Sequence, residues 1–141
     1  MGQSQSIKKV NFEDIQQTII TNNKYLLINT LKIEEQNCLI KGTISPDKEI
    51  SVINSNLNNT NLRIIIYGKN AADETIYKKY NQLIKLGFYN IYLYPGGVFE
   101  WLLLQDIYGN DNFPTTSFEL DHLKYRGHSA FNYLLKNGDI D

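Results

Sequence analysis

The chain has 141 residues and a formal net charge of −1, with 14 basic and 15 acidic side chains. This length corresponds to one domain, and the balanced charge argues against the basic field that general nucleic-acid binding requires. The single cysteine, Cys38, excludes an internal disulfide, and no apolar run is long enough to predict a membrane-spanning helix.

The first six residues, MGQSQS, match the pattern for N-myristoylation. Removal of Met1 would expose Gly2, and Ser6 stands where that pattern prefers serine or threonine. The alternative interpretation is an ordinary flexible start. We predict that residues 1–9 are a flexible tail acylated at Gly2, which would place the protein on the cytosolic face of a membrane or in a membrane-containing virus particle. A single acyl chain binds weakly, so stable anchoring would need a partner.

The first half of the chain contains one clear helix start and one clear strand. Asn11 is a candidate cap for a helix that carries Ile15, Ile19 and Ile20 on one face. The apolar run at Tyr25 to Ile28 predicts a short buried strand. Residues 38–44 are predicted to form a turn that leads into a short third strand, and residues 47–61 fit a weak helix or an irregular connection.

The second half alternates strands and helices. The segment LRIIIYG, residues 62–68, predicts a central strand buried on both faces of a parallel sheet. A helical pattern over residues 76–84 ends near Gly87, a strand follows at residues 91–94, and a Pro-Gly-Gly turn precedes a helix over residues 98–108. Residues 116–141 are predicted to form a helical extension. This alternation indicates an α/β sandwich.

Residues 86–101, LGFYNIYLYPGGVFEW, resemble the closing signature of the rhodanese-like domain family. The stretches YLLINT, LIKGTI and LRIIIYG resemble other segments of that family in the same order. The resemblance covers about residues 10–115. It implies a three-layer sandwich in which helices pack on both faces of a central, mostly parallel sheet.

Active members of that family place a cysteine directly after the strand that LRIIIYG resembles. The cysteine opens a six-residue loop whose backbone N–H groups face the sulfur. The resemblance assigns a degenerate version of this loop to Gly68, Lys69, Asn70, Ala71, Ala72 and Asp73. Gly68 stands at the cysteine position, and Asp73 and Glu74 add two carboxylates that disfavour thiosulfate or phosphate. The resemblance therefore implies that the chain has no catalytic residue.

Other candidate reactive residues support the same interpretation. Cys38 precedes the third apolar segment and is interpreted as a small, idle residue. His122 and His128 are six residues apart, which is not the spacing of a helical metal pair, so no metal or other cofactor is expected.

Two functional hypotheses follow. The first is a non-catalytic binding or scaffold module that contacts a protein partner through the degenerate loop or the C-terminal extension. The alternative is a sulfurtransferase or phosphatase that uses a non-standard nucleophile.

Overall fold

The computed structural model describes residues 6–21 and 25–131. The predictions made for Gly2 and for residues beyond 131 lie outside these ranges. At the centre is a four-stranded sheet of order β1-β4-β3-β2, in which every neighbouring pair is parallel. The strands are β1 (Lys8–Lys9), β2 (Tyr25–Asn29), β3 (Arg63–Tyr67) and β4 (Ile91–Tyr94). The central position predicted for β3 is confirmed, because it pairs with β2 on one side and β4 on the other.

Helices cover both faces of the sheet. They are α1 (Phe12–Ile20), α2 (Pro46–Ser55), α3 (Thr75–Lys85) and α4 (Gly97–Tyr108). Side chains alternate along β3, so Ile65 and Tyr67 pack with α1 and α4, whereas Ile64 and Ile66 pack with α2 and α3. The three-layer α/β sandwich that was predicted is the observed architecture.

Local signals place the helix boundaries. Asn11 and Asp14 form a capping box at the start of α1, where each backbone N–H donates to the other residue's side chain at 3.0–3.1 Å. Pro46 begins α2, so the connection predicted as a weak helix or irregular chain is helical as far as Ser55 and then continues as turns to residue 61. Gly87, just after α3, has a φ of +104°, which glycine adopts without steric cost.

Residues 38–44 contain the predicted turn, at residues 41–42, but the prediction of a short strand beside it is wrong. That segment makes two isolated bridges, Leu27 to Thr43 and Ile40 to Thr115. Its backbone turns at Gly42, whose φ is +93°, and the buried Tyr67 hydroxyl accepts a hydrogen bond from the N–H of Ile40. The positive φ ends the extended conformation, so a continuous strand cannot form.

Both ends of the domain differ from the predicted boundaries. Lys8 and Lys9, assigned to the tail, pair with β4 as β1. After residue 115 the chain is held by a backbone hydrogen bond from the N–H of Thr116 to the carbonyl of Leu39, and His122–Tyr125 form a four-residue 3-10 helix. Residues 130–131 are helical, and the predicted helical extension beyond them lies outside the described residues. Tyr125 is fully buried in the core formed with α1 and α4. Among the described residues, no helix has the length and apolarity needed to cross a bilayer.

Candidate functional site

The predicted loop lies at the carboxyl end of β3. Gly68 directly follows the strand and is buried. The first turn of α4 holds the loop backbone, because the N–H of Val98 donates to the carbonyl of Gly68 at 3.0 Å and the N–H of Phe99 donates to the carbonyl of Lys69 at 2.9 Å. These are helix N-terminal donors that lack partners within their own helix. The neighbouring turn therefore sets the shape of the loop through backbone contacts.

Gly97 allows this close approach. Its φ is +66°, and a Cβ added to it would lie 2.6 Å from the carbonyl oxygen of Gly68. Any side chain here would push the loop away from α4. The glycine pair of the Pro-Gly-Gly turn is therefore a signal for close backbone packing as well as for a turn.

The carboxylate of Asp73 fills the space in front of Gly68. A Cβ added to Gly68 would lie 2.5 Å from Asp73 Oδ2 and 2.9 Å from Thr30 Oγ1. The N–H of Lys69 donates to Asp73 Oδ2 at 2.8 Å, and the N–H of Thr75 donates to Asp73 Oδ1 at 2.9 Å. A negative group of the chain itself thus occupies the position into which a side chain at residue 68 would project.

Asp73 is held there in its ionised form. Burial opposes ionisation, but hydrogen bonds from the Thr75 side chain and from the backbone N–H groups of Lys69 and Thr75 outweigh it, and the pKa of Asp73 falls below its ordinary value of 3.8. The Thr75 hydroxyl lies 2.6 Å from Asp73 Oδ1. The carboxylate of Asp73 therefore lies between the loop and the first residue of α3, and its position inside the loop adds to the predicted position at the start of that helix.

Asn70 joins the loop to the C-terminal segment. Its side-chain amide donates to the carbonyl of Tyr125 at 2.9 Å, and its Oδ1 accepts from the N–H of Ala72 at the same distance. Asn70 is 9% exposed, whereas Ala71 and Ala72 are exposed and offer no polar side-chain group. Asn70 therefore connects the loop to the C-terminal segment through the hydrogen bond to Tyr125.

A cleft of about 800 Å³ lies between this loop and the C-terminal segment. Its charged groups are partly neutralised, because Lys69 pairs with Glu35 at 2.7 Å and Lys124 pairs with Glu119 at 2.6 Å. The C-terminal wall carries three nitrogen-bearing side chains that were not predicted to lie at the site; they are Lys124, Arg126 and His128. The basic cluster in KYRGH, residues 124–128, was the signal that could have indicated them.

The other candidate reactive residues, Cys38, His122 and His128, are not arranged as a nucleophilic or metal-binding site. Cys38 is fully buried, its Sγ donates to the carbonyl of Ser117 at 3.4 Å, and burial raises the pKa of its thiol above the ordinary value. His122 is half-buried on the 3-10 helix, and His128 is exposed. Within the described ranges, no three His, Cys, Asp or Glu side chains are grouped so that they could hold a metal ion.

No protein-family model matches the sequence, and no curated protein matches it significantly. Solved structures are similar to it in fold. The rhodanese-like domain of an Anabaena protein aligns with 89% of this chain and 87% of its own at 17% identity and a TM-score of 0.58.

Two yeast proteins align over their whole length. A single-domain sulfurtransferase from Saccharomyces cerevisiae covers 80% of this chain and 100% of its own at 18% identity, with a TM-score of 0.57. A yeast protein tyrosine phosphatase of the rhodanese family covers 88% of this chain and 100% of its own at 12% identity, with a TM-score of 0.58. At these identities the likeness establishes a common fold.

Proposed function

Because the chain has the rhodanese-like fold and carries Gly68 where the resemblance expects a cysteine, we propose that it is a non-catalytic binding module. The observation that carries this proposal is the position of Asp73. Its carboxylate accepts a loop N–H and fills the space that a nucleophilic side chain at residue 68 would need.

The chemistry of group transfer supports the proposal. A covalent intermediate on the protein requires a nucleophile that can reach the substrate, and glycine has no side chain to supply one. Cys38 is buried and its thiol has a raised pKa, so little of it would be thiolate at neutral pH. The carboxylate of Asp73 would also repel an incoming thiosulfate or phosphate group.

The proposal is tested first by activity. We expect the purified protein to show no turnover above a no-enzyme control, either with thiosulfate and cyanide or with a phosphotyrosine mimic. Turnover that persists in a Cys38→Ser variant would overturn the proposal and favour the enzyme that uses a non-standard nucleophile.

A matched pair of variants in the Cys38→Ser background shows whether Asp73 blocks the loop. In Gly68→Cys, the nearby carboxylate should raise the pKa of the new thiol and keep its alkylation by iodoacetamide slow at neutral pH. In Gly68→Cys/Asp73→Gly, the N–H of Lys69 becomes available to the sulfur, so the pKa should fall and alkylation should be faster. Equal pH profiles, or robust sulfurtransferase turnover by Gly68→Cys alone, would contradict this account.

We further propose that the module is tethered to a membrane through an acyl chain on Gly2. The support is the MGQSQS pattern and the two lysines that follow, which would add attraction to an anionic surface. A membrane-containing virus particle would provide such a surface as well.

Co-expression with an N-myristoyltransferase tests the tether. We expect the intact mass to increase by one myristoyl chain and the increase to disappear in Gly2→Ala. An unmodified mass would remove the tether from the proposal and leave the binding module unaffected.

A further inference from the structure

A second concave surface adjoins the cleft at the loop. This groove has a volume of about 940 Å³ and is lined by residues of α2, α3 and the 3-10 helix Ile33–Glu35. It shares Thr30, Leu31 and Thr75 with the cleft, so the two surfaces are continuous. Below, "the groove" means this surface.

Apolar side chains line the groove and remain open to solvent. The exposed fractions are 90% for Ile33, 63% for Ile50 and 45% for Leu86. A single exposed aliphatic residue is ordinary, but several on the wall of one groove are typical of an interaction site. The groove therefore offers apolar surface that a partner can bury.

The charge of the groove is opposite in sign to that of the chain. Its charged lining consists of three lysines, at positions 78, 79 and 85, and one glutamate, Glu49, which gives +2, whereas the whole chain carries −1. Lys79 is paired with Glu49 at 2.7 Å. Lys78 and Lys85 are exposed and can meet carboxylates of a partner.

From this combination we propose that the groove binds an acidic, amphipathic peptide segment of a partner protein. The inference rests on the proposed function and names the kind of partner for it. The apolar side chains of the segment would contact Ile33, Ile50 and Leu86, and its carboxylates would lie near Lys78 and Lys85. The side-chain amides of α3 that line the groove can hydrogen-bond to a peptide backbone; they are Asn81 and Gln82.

A lipid surface would also offer apolar and anionic groups to the groove. The concave shape of the groove favours a peptide. A peptide segment can enter a concave groove between two helices and present side chains to its floor. A bilayer interface binds best to a protruding apolar face.

The test uses the full chain and three fluorescent synthetic peptides, read by anisotropy. One peptide has leucines and glutamates at helical spacing, the second has lysine for each glutamate, and the third has serine for each leucine. We expect the first to bind, to weaken as salt is added, and to bind at least about tenfold more tightly than the others. Its binding should shift the backbone amide resonances of α2 and α3.

Variants locate the binding. Ile33→Ser/Ile50→Ser should weaken binding of the acidic peptide by about tenfold, and Lys78→Glu/Lys85→Glu should weaken it and remove most of its salt dependence. The matched control is Ile107→Ser, which removes an equally exposed aliphatic residue (69%) from α4 and should leave binding unchanged.

Three outcomes would overturn the inference: equal binding of the acidic and lysine peptides, no effect of Ile33→Ser/Ile50→Ser, or binding of phosphatidylserine vesicles in place of the acidic peptide. None of them concerns turnover, so a failure here is distinct from a failure of the proposed function, which the activity assays detect.

Discussion

Two turns lie side by side at the carboxyl edge of the sheet, one after β3 and one after β4. The loop after β3, residues 68–73, lacks the cysteine that the resemblance expects, and its last position carries a carboxylate. The turn after β4, residues 95–97, keeps the Gly-Gly pair of the closing signature. Backbone contacts join the two turns, because N–H groups of α4 donate to carbonyls of the loop.

Backbone contacts with α4 hold the loop after β3 in place. Two N–H groups of α4 donate to the carbonyls of Gly68 and Lys69, and Gly97 lets the backbones approach. These hydrogen bonds join main-chain atoms, so they do not depend on which side chains the loop carries. On the opposite side, Asp73 accepts hydrogen bonds from the loop and from α3. Three backbone N–H groups of the loop thus donate to acceptors within it: Lys69 to the Asp73 carboxylate, Ala72 to Asn70 Oδ1, and Asp73 to the carbonyl of Asn70.

From this comparison we expect a substitution in the turn after β4 to lower the free energy of unfolding more than a substitution in the loop after β3. Gly97→Ala should lower the free energy of unfolding by about 3 kcal/mol or more, because the added Cβ meets backbone atoms that cannot move independently and the φ of this residue is positive. Urea unfolding followed by circular dichroism measures the change.

Gly42→Ala is the matched control for backbone strain. Gly42 also has a positive φ, of +93°, but an added Cβ meets nothing within 4 Å. Its loss should be about 1–2 kcal/mol, the cost of a left-handed conformation for a residue with a Cβ. Equal losses for the two variants would mean that contact between the two turns adds nothing to stability.

Much of this edge of the sheet could be predicted from the sequence. The apolar run before Gly68 marks a buried strand, and the helical spacing after it marks α3, so the location of the loop followed from local pattern. The closing signature similarly located β4 and the start of α4. Elements with a strong period and a clear terminus signal were the ones predicted correctly.

The parts that could not be predicted depend on contacts distant in sequence. Lys8 and Lys9 have no apolar pattern and form a strand only because they pair with β4. Tyr125 reaches the core from a segment whose other large apolar side chains, Phe118 and Leu120, are exposed, so periodicity could not single it out. The Asp73 carboxylate is a local exception. Its inward position depends on the backbone conformation that brings the N–H groups of Lys69 and Thr75 to it, which residue type alone does not reveal.

The smaller expected effect concerns Asp73 itself. Asp73→Asn replaces one carboxylate oxygen by an NH₂ group, which cannot accept a hydrogen bond, so the N–H of either Lys69 or Thr75 loses its acceptor. The substitution should cost about 1–2 kcal/mol at neutral pH. The pKa of Asp73 is lowered in the folded state, so its contribution is fully present above the unfolded-state pKa and is lost as pH falls through the folded-state pKa. The difference in the free energy of unfolding between wild type and Asp73→Asn should therefore be smaller in acid. Urea unfolding at about pH 7 and at about pH 3 measures this difference.

Glu74→Gln separates the hydrogen bonds from the charge. Glu74 is the residue after Asp73, and its side chain makes no capping hydrogen bond to α3. The Glu74→Gln substitution removes the same negative charge as Asp73→Asn. We expect it to change stability by less than about 0.5 kcal/mol. If Glu74→Gln and Asp73→Asn had equal effects, the contribution of Asp73 would be one of net charge near the start of α3. An effect confined to Asp73 would instead locate the stabilisation in the hydrogen bonds that close the loop over Gly68, and these are the contacts that distinguish this loop from the turn beside it.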